Sequence, residues 1–135
     1  NLNIDYHEEV REKIRSITNN FKIFENFMQT EDIARFRCCA DIFIHGQTTD
    51  ALSASFQEYI YAGAVVLNAK WLQYNELEER GIRYIEFGSF EEIPMLVTKI
   101  VSNLEEYKLA FSNNRDILRA FSSVEAVSQE WYSIY

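Results

Sequence analysis

The chain has 135 residues, of which 47% are hydrophobic and 15% aromatic, enough to bury the core of one domain. Thirteen Lys and Arg against twenty-one Asp and Glu give a formal net charge of −8, the wrong balance for a nucleic-acid footprint or an anionic membrane surface. A small anionic ligand is still admissible, because helix N-termini and a few local cations can hold one inside a negative protein.

The sequence opens on Asn1 and runs almost at once into a helical pattern, so the expectation is a piece of a longer protein. Residues 7–17 place Val10, Ile14 and Ile17 on one helical face with charges between them. Residues 21–25 read as a short strand. Thr30, with Glu31 and Asp32 behind it, caps a helix over 30–40. Cys38 and Cys39 are neighbours there, which suits neither a structural disulfide nor a metal site, and they read as small core residues of a reducing compartment. Residues 41–45 form a compact apolar strand. A helix over 53–62 stops at Gly63, and 64–68 is a wholly apolar strand, as expected where both faces are covered. A helix over 71–80 ends at Gly81, and 83–87 is the next strand.

From Ser89 onward the pattern is helical. Ser89 with Glu92 forms a capping box, Pro94 belongs to the first turns or marks a kink, and further helices cover 105–120 and 123 onward. Strands alternating with helices predict an α/β fold: a Rossmann-like parallel sheet with helices on both faces and a helical C-terminus. No apolar run approaches the roughly 20 residues that span a bilayer, and no signal peptide is visible, so a cytoplasmic location is expected.

In open parallel sheets ligands bind beyond the carboxyl ends of the strands. The loop from His45 to Leu52 falls at that edge. It carries Thr48, Thr49 and Asp50, and the helix that follows begins with Ser53, Ala54 and Ser55 and bears Glu58 in its second turn. The backbone amides of Ser53, Ala54 and Ser55 are placed to meet an anion, although capping by Ser53 predicts the same residues. Asp50 reads equally as a loop or N-cap acid, Glu58 as an exposed helix acid, and His45 as a satisfied strand-end histidine. Phe36, Phe43, Phe56, Tyr59 and Tyr61 read as packing, whereas Trp71 and Tyr74 are better placed to line a site. The sequence contains no nucleophile–base constellation, no metal cluster and no Gly-rich phosphate loop.

The run Asp50-x7-Glu58, followed by Tyr61-Ala62-Gly63-Ala64-Val65-Val66, resembles the donor-binding half of the large retaining group of GT-B fold glycosyltransferases. Those enzymes carry a Glu-x7-Glu motif before an Ala-Gly-x-Pro-Val strand. The segment CADIFIHGQTTD resembles their strand and loop ADVFV-Pro-Ser, and the ending SSVEAVSQEWYSIY resembles their closing helix. The resemblance implies a nucleotide diphosphate sugar as donor, a glycan or lipid-linked glycan hydroxyl as acceptor, retention of configuration and no obligatory metal or other cofactor. It further implies that Glu58 holds the ribose hydroxyls, Asp50 faces the donor sugar, the Ser53, Ala54 and Ser55 amides hold the diphosphate, and His45, Thr48 and Thr49 line the site. Surface polysaccharide synthesis, with the parent protein peripheral to the inner face of the membrane, is the implied setting. Asp50 replaces a Glu, Ala51 and Ser53 replace glycines, and Gly46-Gln47 replaces Pro-Ser. The acceptor domain, the first strand and a basic pair of the family have no counterpart here, so this polypeptide alone is expected not to catalyse. A non-catalytic nucleotide-binding module and an unrelated doubly wound regulatory domain remain as alternatives.

Overall fold

The computed structural model describes residues 2–132, with side chains from 6 to 128. The chain divides into two compact units, Asn1–Thr30 and Glu31–Tyr135. The first contains α1 (Leu2–Arg15), whose charged face is tied by Lys13 to Glu9 at 2.8 Å and by Arg11 to both Glu8 and Glu25. Residues 21–25, expected as a strand, are irregular. An extended segment is stable only when its backbone groups find a ladder partner, and these residues have none among those described. Lys22 lies over the Phe24 ring instead, 4.8 Å from its centroid.

The second unit is α/β. Its order is α2 (Thr30–Cys38), β1 (Ile42–His45), α3 (Ala54–Ala62), β2 (Val65–Ala69), α4 (Asn75–Glu79), β3 (Ile85–Phe87), α5 (Ile93–Ser102), α6 (Leu104–Ala110), α7 (Asn114–Ser122) and α8 (Val124–Tyr132). The three strands form one parallel sheet in the order β1-β2-β3. Its register pairs His45 with Asn68, and Asn68 in turn with Glu86. All five residues of β2 are buried, so both faces of the central strand are covered, as its run, apolar but for Asn68, predicts. Phe56 and Ile60 of α3, Leu77 of α4, Phe87 of β3, Ile100 of α5 and Leu118 of α7 close the core around it. Each such side chain stabilises the fold by about 1.5–3 kcal/mol relative to exposure.

Two glycines end helices where the sequence places them. Gly63, at φ 93°, donates its N–H to Ile60 while Ala64 donates to Tyr59, a Schellman closure of α3. Gly81, at φ 94°, closes α4 in the same way through Gly81 to Glu78 and Ile82 to Leu77. Pro94 stands in the first turn of α5, where its missing N–H costs nothing, so it starts the helix and does not kink it.

Three helical expectations are shortened or divided. The helix expected over 71–80 is confined to Asn75–Glu79, because Trp71 is held by the Gln47 carbonyl and Tyr74 is committed to the core. The helix expected over 105–120 breaks between Ala110 and Asn114. Asn114 is buried and brackets Arg83, accepting from its N–H at 2.8 Å and donating to its carbonyl at 2.7 Å. An Asn that bonds a distant backbone in both directions fixes where α7 must begin. The helix expected over 30–40 ends at Cys38, and both cysteines are exposed, against the expectation of a core position. Of the aromatic residues expected to pack, Phe56 is fully buried and Phe43 stacks on Tyr59 at 4.0 Å, whereas Phe36 and Tyr61 remain partly exposed. No helix among the described residues is long and apolar enough to cross a membrane.

Candidate functional site

The carboxyl edge of the sheet is formed by the β1–α3 loop, the turn after β2 and the turn after β3. The β1–α3 loop does not hang free. The Trp71 indole donates to the Gln47 carbonyl at 2.7 Å, and its ring meets Phe87 and Phe90 edge-on, each at 5.6 Å. Gly46 fits beneath this cluster because it lacks a Cβ, which would stand 2.9 Å from the Phe90 ring. Lys70 leaves β2 at this edge with its side chain exposed, a cation that the sequence reading passed over.

Beyond the loop, Ser53 caps α3 by accepting the Phe56 N–H on its Oγ at 3.2 Å, and its carbonyl accepts from Gln57. The Ala54 and Ser55 amides precede the first intrahelical bond and carry the positive end of the helix. Ala54 is exposed, Ser55 half-buried and Ser53 buried. Thr48 and Thr49 are exposed on the loop.

The two acids stand on either side of this helix start, in different surroundings. The Asp50 side chain is 20% exposed, and Oδ2 lies 3.4 Å from Nε2 of His45. His45 itself is 98% buried, and its Nδ1 is 3.0 Å from Oδ1 of Asn68. The Glu58 side chain is 48% exposed and forms an ion pair with Arg37 of α2. Arg37 also donates to Ser55 Oγ at 3.4 Å, and its guanidinium lies 5.8 Å from the Tyr59 ring centroid.

Tyr74, expected to line the site, is instead buried beside it, with its ring 6.0 Å from that of His45. Burial, reinforced by the nearby charge of Asp50, pushes its pKa above the ordinary value of 10.0, so it remains a neutral phenol at physiological pH. Asp41, at the other end of β1, pairs with Lys108 of α6 and takes no part in this edge. No group of three or more His, Cys, Asp and Glu side chains among the described residues could hold a metal ion.

Sequence reasoning named the loop, Asp50, Glu58 and the helix start, and the loop and helix start follow the carboxyl end of β1. It missed Arg37, Asn68 and Lys70. Arg37 reaches the site only through contacts of its own side chain with Glu58, Ser55 and Tyr59 of α3, which leave no local signal. Asn68 was legible as the one polar residue in an otherwise apolar central strand, a position that calls for a specific partner.

Comparison of the chain with protein families, with curated proteins and with solved structures gives no match.

Proposed function

We propose that the chain is the nucleotide-sugar-binding domain of a retaining GT-B type glycosyltransferase. The observation that carries this reading is the capped start of α3 at the carboxyl edge of a parallel sheet, with Asp50 just before it and Glu58 one turn beyond. In this reading the Ala54 and Ser55 amides receive the diphosphate, and the positive end of α3 stabilises the charge that builds on it as the sugar leaves. Lys70 and Arg37 supply the local cations. Glu58 accepts the two ribose hydroxyl protons, and Asp50 faces the hydroxyls of the transferred sugar. The reaction moves a sugar from a nucleotide diphosphate to an acceptor hydroxyl of a glycan or lipid-linked glycan, with the acceptor held by a further domain of the parent protein.

One observation favours a second reading, a non-catalytic nucleotide-binding module. Glu58 is already paired with Arg37, and Asp50 faces His45, so each acid has a partner within the chain itself.

Calorimetric titration with UDP, GDP, ADP and the parent nucleosides tests both. Saturable binding of one diphosphate, with the nucleoside far weaker and Glu58→Ala lowering affinity by about 1–3 kcal/mol, supports a nucleotide site. Equal binding of nucleoside and diphosphate would remove the phosphate site. Transfer activity in the parent protein, lost on Asp50→Ala, separates the enzyme from the module.

A further inference from the structure

Asn68 fixes the chemistry of His45. Its Nδ2 lies 2.8 Å from the Leu72 carbonyl and 3.2 Å from the Ala69 carbonyl. An atom facing two carbonyls must be the amide nitrogen, so Oδ1 is the atom turned to the imidazole. Nδ1 of His45 therefore carries a proton and donates to Asn68. This leaves Nε2 as the atom that meets Asp50, and its state depends on protonation. In the neutral ring it presents a lone pair to a carboxylate oxygen 3.4 Å away, an acceptor against an acceptor, and it makes no hydrogen bond. In the imidazolium it is a donor, and the same geometry becomes a charge-assisted pair.

We infer that His45 is the positioning residue for Asp50: held through Nδ1 by Asn68, its protonated form clamps the Asp50 carboxylate through Nε2 and sets the β1–α3 loop. Taking up one proton from solvent closes the clamp, and losing it turns the contact repulsive and releases Asp50. Among the described residues, the other titratable group shown against the ring is Tyr74, which stays neutral. The remaining neighbours are the rings of Phe43 and Phe56, at 5.8 and 5.5 Å, which carry no charge. Clamping engages Oδ2 and leaves Oδ1 of Asp50 for a ligand hydroxyl. That last consequence rests on the donor-sugar reading of Asp50, whereas the clamp does not.

The test uses the free chain labelled with 15N-histidine. The chain contains only two histidines, and His7, on α1 with a half-exposed side chain, serves as the internal reference. Two-bond 1H–15N spectra distinguish the two neutral tautomers from the imidazolium. The expected result is a proton on Nδ1 of His45 at every pH at which the chain is folded, with protonation of Nε2 shifting the Thr48, Thr49 and Asp50 amides in step. In Asp50→Asn, which preserves shape, the loop shifts lose that coupling while Nδ1 remains protonated. A neutral ring protonated on Nε2, or loop shifts that still follow His45 in Asp50→Asn, would overturn the clamp. Because no nucleotide is present, either result stands apart from the outcome of the diphosphate titrations.

Discussion

Arg37 of α2 holds Glu58 of α3 in an ion pair while its second guanidinium nitrogen reaches Ser55, so one side chain from a preceding helix engages two residues at the candidate site. Glu58 is thereby oriented before any ligand arrives. The same pair also sets what a ligand must displace or share.

The strength of that pair is open to a double-mutant cycle. Glu58 is nearly half exposed, so solvent screens the attraction and the coupling should be about 0.2–1 kcal/mol. Urea unfolding of Arg37→Gln, Glu58→Gln and the double variant measures it directly. Coupling several times larger would mean that the pair is a structural clasp holding α2 to α3.

Asp50→Asn should separate two ligands. It preserves the side chain's shape but removes the charge, so diphosphate affinity should hold while the complete nucleotide sugar binds about tenfold more weakly, the loss of one charge-assisted hydrogen bond. Paired titrations of the two ligands make the comparison. An equal loss for both would move Asp50 from the sugar to the phosphates or to the loop itself.

Gly63→Ala isolates a backbone effect. A Cβ at this position meets nothing within 4 Å, so neither clash nor new packing enters, and only the φ of 93° is at stake. The variant should lose about 1–2 kcal/mol in chemical denaturation, with Gly63→Asn losing less. A loss below a few tenths of a kcal/mol would mean that the helix end shifts to relieve the strain.

Tyr84 should make the chain sensitive to base. Burial and a hydrogen bond donated to Glu78 raise its pKa above the ordinary 10.0. A group that holds its proton more tightly when folded contributes stability that is fully present below the unfolded value and is lost as pH rises above it. Denaturation of the wild type at neutral pH and near pH 10–11 should show that loss, and Tyr84→Phe should diminish it. An unchanged pH slope in the variant would place the sensitivity elsewhere.

Much of the second unit was legible because its signals are local. The apolar run 64–68 could only be a strand covered on both faces, Gly63 and Gly81 mark left-handed helix ends, and Ser53 caps the helix that follows it. What failed was non-local. The run 21–25 reads as a short strand, but a strand is defined by a partner that the sequence of one segment cannot name. The break before α7 depends on Asn114 reaching Arg83, 31 positions away. The site shows the same division. Asp50 and Glu58 were named from their spacing, whereas Arg37 and Asn68 enter only through non-local contacts, one with Glu58 and Ser55 and the other beside His45 by parallel register.

The bond from Trp71 to the Gln47 carbonyl bears on how anything settles on this edge. A loop left free until a ligand arrives must be ordered at the expense of affinity, at about 0.5–1.5 kcal/mol for each immobilised side chain. Here part of that ordering is in place when the polypeptide folds, since the indole grips the loop from the neighbouring strand's turn. Encounter then resembles docking onto a tethered loop, and selectivity should show in how long a ligand stays more than in how quickly it arrives.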